Sequence, residues 1–191
     1  MSERVRHTAV VWATSTAAAI VLVATLVACG GGSGSHSAVA ARPAEDLVMQ
    51  PADFRNIHTM TKVRGFFVDN RLGHLAEALK VANSPTGGVY PVGTILQLVP
   101  QEAMVKRHKG FNRATRDWEF FFLSTTTAGT EIKVRGVQNV VNRFGGNCAS
   151  CHAAAAPKWD GVCEHDHGCA PLPIGDNVIA VVQQADPRPQ S

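Results

Sequence analysis

The sequence predicts an α+β fold, mainly antiparallel β-sheet flanked by short helices, with a Cys-x-x-Cys-His segment on a helix near the C-terminus. Three observations predict it. Between Thr61 and Val137, short runs rich in β-branched and aromatic residues recur between turn residues. Within that region only Arg71 to Ala82 carries apolar residues at helical spacing, through Leu72, Leu75, Ala76 and Leu79. Finally, Cys148, Cys151 and His152 lie in a short segment of small residues that Pro157 brings to an end.

Taken in chain order, the N-terminus comes first. Arg4 and Arg6 precede an uncharged run from Thr8 to Ala28 rich in Ala, Val and Leu, the pattern of a secretory leader. Its length would also allow a membrane span. Leu26-Val27-Ala28-Cys29 resembles the bacterial lipobox, in which diacylglycerol is joined to the cysteine sulfur and cleavage leaves that cysteine first. The expectation is a signal peptide over 1–28, lipid on Cys29 and a flexible Gly/Ser-rich tether over 29–42. The protein is then exported and lipid-anchored to a membrane on its periplasmic or extracytoplasmic side. Residues 43–185 make a domain of about 140 residues, ample for one core. The last residues, 186–191, read as a disordered tail.

Within the domain, Pro51 to Ile57 opens as a short helix with Pro in its first turn. Thr61 to Val68 reads as a strand, the helix Arg71 to Ala82 comes next, and Asn83 to Gly88 breaks it. Strands are then expected at Thr94 to Val99, Met104 to His108, Trp118 to Thr126 and Glu131 to Val137. Glu131, Lys133 and Arg135 alternate with apolar neighbours, so the last strand has one wet face.

Cys148 and Cys151 are about one helical turn apart, so both thiolates can add to the two vinyl groups of one haem while the imidazole of His152 reaches the iron. A thioredoxin-like redox pair would need a βαβ context that the sequence lacks. One covalent haem c is expected, with His152 as proximal iron ligand. Of five cysteines, only Cys163 and Cys169 then remain, in a compartment where free thiols seldom persist. A disulfide between them is the economical reading. The alternative is zinc or copper, because an extended Cys163-Glu164-His165-Asp166-His167-Gly168-Cys169 would turn Cys163, His165, His167 and Cys169 to one side. The whole chain has net charge +3. Loss of residues 1–28 removes Arg4, Arg6 and Glu3, two positive charges and one negative, and leaves +2. Nothing in that balance invites nucleic acid.

From about Val48 to Val162 the sequence resembles the cytochrome P-460 family, including its cytochrome c′-beta branch. The resemblance is carried by Lys62-Val63-Arg64 with Val68-Asp69, by Tyr90-Pro91-Val92-Gly93-Thr94, and by Glu102-Ala103-Met104-Val105-Lys106. It continues through Trp118-Glu119-Phe120 to Cys148-Ala149-Ser150-Cys151-His152, with Lys158 and Asp160 beyond. It implies a large antiparallel sheet with helices, a homodimer, and a five-coordinate haem whose open face binds small nitrogen species such as nitric oxide or hydroxylamine. Arg64 matches the family's pocket arginine, and Glu102 matches the carboxylate that relays protons in hydroxylamine-oxidising members. Leu98 departs from the pattern, standing where those members carry a lysine joined covalently to the haem ring. Cys163 also departs, replacing an aromatic residue.

Leucine has no nucleophilic nitrogen, so the resemblance points to the branch that binds gas without a cross-link. The expected function is a lipid-anchored single-haem c-type cytochrome binding nitric oxide or a related ligand at an open distal site. The alternatives are a hydroxylamine or nitric-oxide oxidoreductase using Glu102, or a six-coordinate electron-transfer cytochrome serving an unidentified redox partner. For the latter, Met49, Met60, Met104, His58, His74 and His108 are the candidate sixth ligands, Met104 first.

Overall fold

The computed structural model describes residues 47–190. The predicted signal peptide 1–28, Cys29 and the tether 29–42 lie outside them. Among the described residues six strands are present, β1 (Thr61–Val63), β2 (Phe66–Asn70), β3 (Thr94–Gln97), β4 (Glu102–Lys106), β5 (Trp118–Thr126) and β6 (Gly129–Gly136). They form one antiparallel sheet in the order β1-β2-β3-β4-β5-β6. Three helices accompany it, α1 (Leu75–Ala82), α2 (Cys148–Ala153) and α3 (Asp176–Gln184). The expected architecture of antiparallel sheet with short helices is therefore present. None of the helices among the described residues is long and apolar enough to cross a membrane.

Several boundaries differ from the sequence reading, each for a local reason. Thr61 to Val68 is a hairpin instead of a single strand: Val63 pairs with Phe66 across Arg64 and Gly65, with Arg64 at φ 50°. The helix after it starts at Leu75 because the Asn70 side-chain oxygen accepts from the backbone N–H groups of Leu72 and His74, closing a turn first. Pro51 to Ile57 is two single 3₁₀ turns, Pro51–Asp53 and Ile57–Thr59. β4 begins at Glu102, two residues earlier than expected, after β3 has ended ahead of Pro100. β6 begins at Gly129, where Thr126 and Gly129 close the β5–β6 hairpin. Helix α3, which the sequence reading did not anticipate, docks through Gln183, whose amide donates to the carbonyls of Gly65 and Leu98.

The tail also differs from expectation. Arg188 is buried, and its guanidinium donates to the Phe54 carbonyl and to Asp186. The Asp186 carboxylate in turn accepts from the Ile57 N–H. The chain is thus held through Arg188, because its two charges neutralise each other and close hydrogen bonds that the Phe54–Ile57 turn leaves open.

Side-chain alternation divides the sheet into two faces. Val63, Phe66, Val68, Leu96, Met104, Trp118 and Phe120 face one way and pack with Ala78 and Ala82 of α1 and Ala149 of α2. Ile95, Ala103, Val105, Phe121 and Leu123 face the other way and are covered by Met49 and Phe54. The first face is the one that meets the cysteine–histidine helix.

Candidate functional site

Helix α2 is short, and its start is well specified. Asn147 caps it, its side-chain oxygen accepting from Ser150 N–H at 2.9 Å while its amide donates to the Gln138 carbonyl. The Cys148 N–H donates to the Val140 carbonyl at 3.0 Å. These bonds tie α2 to the 137–147 segment, which itself reaches β4 because Arg143 N–H donates to the Glu102 carboxylate at 3.0 Å. Cys148, Cys151 and His152 are therefore presented on one helix whose position is fixed from the sheet. Neither Cys148 nor Cys151 is in a disulfide.

His152 has a defined tautomer. Its Nδ1 lies 2.7 Å from the Gly161 carbonyl oxygen, which can only accept, so Nδ1 carries the proton. Burial holds its pKa below the ordinary histidine value, and the Gly161 bond only partly offsets that. The ring is thus neutral near pH 7 and Nε2 keeps its lone pair. Phe120 packs against it with ring centroids 5.2 Å apart. This donor set fits a covalent haem: two thiols one turn apart, and a following imidazole whose ligating nitrogen is unprotonated.

The acceptor for His152 is held by a buried network. Asp160 and Gly161 are both left-handed, at φ 53° and 83°. The Asp160 carboxylate accepts from Lys106 Nζ at 2.7 and 2.8 Å and from the Tyr90 N–H at 2.9 Å, and its carbonyl accepts from Trp118 Nε1 at 2.5 Å. Lys106 also donates to the Arg116 carbonyl at 2.6 Å. Burial pulls the Lys106 ammonium down and the Asp160 carboxyl up in pKa, while each charge restores the other. Lys106 and Trp118 are directly opposed on β4 and β5. The adjoining loop is tight: a Cβ on Gly87 would lie 2.0 Å from the Lys158 carbonyl oxygen, and Gly87 has φ 80°.

Four residues singled out in the sequence, Leu98, Glu102, Met104 and Cys148, come together here. Leu98 and Cys148 pack against the same cluster, with Met104 and Phe120 opposed within it. Glu102 is on that face of β4, close enough for its charge to raise the Cys148 thiol, which burial pushes up to about 11. Burial also raises the Glu102 carboxyl above its ordinary value, only partly opposed by Arg143. Arg64 is placed differently. At the β1–β2 turn its half-exposed guanidinium donates to Glu164 at 2.5 and 2.7 Å and to the Ala82 carbonyl, over the Phe66 ring.

The other candidates disperse. Met49 and Met60 belong to the opposite face, and His58 stacks edge-on against Phe67 with Nε2 beside the Gln183 carbonyl. His74 precedes α1, and His108 packs on Phe111 in the β4–β5 loop. Cys163 and Cys169 are disulfide-bonded, with Cα atoms 5.7 Å apart. The zinc or copper alternative is accordingly not formed. His167 is buried, stacked on Trp159 and bonded to the Val162 carbonyl, whereas His165 is 89 % exposed beside Asp176. Among the described residues no group of three or more His, Cys, Asp or Glu side chains could hold a metal ion.

Tyr90, Lys106, Trp118 and Asp160 entered the sequence reading only as carriers of the resemblance, and their joint role in supporting the Gly161 carbonyl was not legible there; the Asp160-Gly161 pair carried a turn signal. Comparison with protein-family models, curated proteins and solved structures finds no match to the chain.

Proposed function

We propose that the protein is a single-haem c-type cytochrome of the cytochrome P-460 type that binds nitric oxide or a related small nitrogen ligand. Cys148 and Cys151 would hold the haem as thioethers and His152 would ligate its iron. The observation that carries this reading is the His152 tautomer: Nδ1 is committed to the Gly161 carbonyl, leaving Nε2 as a neutral donor on the helix that bears both thiols. When bound, the haem supplies an iron that takes small diatomic ligands. The chain's own contribution is to orient the imidazole and to line the site with hydrocarbon from Leu98, Met104 and Phe120. An apolar lining favours an uncharged ligand, since a charged one loses more solvation on entry.

As in the family it resembles, the protein is a homodimer, and lipid on Cys29 anchors it outside the cytoplasmic membrane. Acid–acetone extraction of protein matured with a cytochrome c assembly system tests the attachment: the haem should stay on the chain. Ferric and ferrous spectra with and without nitric oxide test the open site, which requires five-coordinate, high-spin iron. Haem that comes away freely, or six-coordinate low-spin iron, would overturn the corresponding half of the proposal.

One observation favours a second reading. Glu102 is buried beside Cys148 with its pKa raised, which suits a carboxyl that exchanges protons during turnover of a nitrogen substrate such as hydroxylamine. Hydroxylamine turnover that Glu102→Gln abolishes would support an oxidoreductase instead.

A further inference from the structure

We infer that the buried Lys106–Asp160 pair is a positioning device for His152, aiming the Gly161 carbonyl at Nδ1 and thereby setting the donor strength of Nε2; this rests on the proposal that His152 ligates haem iron. The chain of contacts is continuous. Lys106 projects from β4 and Trp118 from β5, directly opposite each other. The Lys106 ammonium, 5.0 Å from the Trp118 ring centroid, holds both Asp160 carboxylate oxygens, and the Trp118 indole N–H holds the Asp160 carbonyl. The Tyr90 N–H supplies a further bond to the carboxylate. Asp160 is thus gripped at both its side chain and its main chain.

That grip has a conformational purpose. A left-handed backbone is disfavoured for a residue with a Cβ, for aspartate less than for most, and its surroundings help to hold it there. Asp160 adopts it next to left-handed Gly161, and these two residues determine where the Gly161 carbonyl points. The carbonyl points at His152 Nδ1, 2.7 Å away. A well-placed acceptor at the outer nitrogen of an iron-bound imidazole fixes its tautomer and increases its basicity, which strengthens the ligand and favours the oxidised metal. A charge pair whose side chains are only 6 % and 4 % exposed is an expensive way to stabilise a loop alone. It is intelligible as a rigid link from the sheet to the histidine.

The test uses the full chain with Asp160→Asn, which breaks the ion pair, and Trp118→Phe, which removes the indole donor and part of the buried ring but leaves both charges in place. Haem staining of denaturing gels establishes attachment first. In haem-loaded protein, both variants should lower the ferrous iron–histidine stretching frequency and shift the midpoint potential positive, with Asp160→Asn the larger. Arg188→Met, which breaks a buried pair remote in sequence from this network, should lower the melting temperature while moving neither. Frequency and potential unchanged in Trp118→Phe and in Asp160→Asn, with haem attached, would reduce the pair to a structural role and overturn the inference. Should wild-type protein carry no haem, the proposed function fails. The inference is then decided in the full chain by long-range ¹H–¹⁵N spectra of the His152 ring. A single Nδ1–H tautomer that becomes mixed in the variants supports it; an unchanged one overturns it.

Discussion

Leu98 packs on the face that carries Cys148, and in the proposed reading it stands at the position that decides between two chemistries. Haem peptides from the wild type should therefore carry two thioether bonds and no third link, as read by mass spectrometry. Leu98→Ala should speed nitric oxide entry in stopped-flow measurements while leaving the haem attached. Because Leu98 is only partly buried, its stability cost should lie near the low end for such truncations, about 2 kcal/mol. Glu102 makes a prediction with a sign. Its folded-state pKa is raised, first by burial, so the folded protein holds this proton more tightly than the unfolded chain does. The stability it contributes is full below the ordinary glutamate value of about 4.3 and declines as pH rises through the raised value. Asp160 is raised as well, so the wild type alone does not isolate Glu102. Urea midpoints between pH 4 and 7 should fall less steeply in Glu102→Gln than in wild type. Parallel curves would show that the carboxylate is adequately solvated.

Among local elements, the loop closed by Cys163 and Cys169 brings together several contacts that the sequence treated separately. It presents Glu164 to Arg64, stacks His167 on Trp159, and sets the His167 carbonyl to accept from the Ala156 N–H just after α2. Opening a loop this short should cost about 2 kcal/mol through the added freedom of the unfolded chain. Cys163→Ser with Cys169→Ser should then lower the melting temperature by roughly 4–8 °C. If the loop acts through Arg64, the double cysteine variant and Arg64→Ala should be less than additive in a double-mutant cycle. The Arg64–Glu164 pair is half exposed on the arginine side, so its own share should stay below about 1 kcal/mol. Strict additivity would show that the disulfide works independently of the hairpin.

Across the molecule, the two faces of the sheet have different duties. One carries α1, α2 and the candidate site, and the other is closed by the first residues of the described chain and, near its end, by the tail. Arg188 is 4 % exposed, and the Asp186 side chain beside it is fully buried. Burial pushes the Asp186 carboxyl up, but the bonds from Arg188 and Ile57 N–H outweigh it and hold the pKa low. Its stabilisation is therefore present above the ordinary aspartate value of about 3.9 and is lost as pH falls through the lowered one. Removing one partner leaves a buried charge alone, so Arg188→Met should cost about 3–5 kcal/mol near neutral pH, measured by urea unfolding. Truncation after Ala185 should also destabilise. A truncated chain as stable as the whole would mean that the tail merely rests on the surface.

The sequence by itself determined the antiparallel sheet and the helix bearing Cys148, Cys151 and His152. These depend on short-range information: alternation along strands, turn residues between them, and the spacing of three side chains within one turn. The span of β5 was legible for the same reason, and the pairing of Cys163 with Cys169 by elimination among the five cysteines. The hairpin at Arg64 was hidden because arginine seldom takes a left-handed conformation, although Gly65 beside it was a turn signal. Only the tertiary structure decided the rest. It alone placed Glu102 beside Cys148, engaged Arg64 with Glu164, buried the tail, and brought Lys106 to Asp160. Lys106 looks like any strand lysine in sequence and Asp160 like any turn aspartate. They lie 54 residues apart and meet only because β4 and β5 pair in register and Tyr90 and Trp118 close over them. Such contacts depend on chain crossings that no local pattern encodes. Their energy arises from removing two opposite charges from water together, which happens only once the fold has formed.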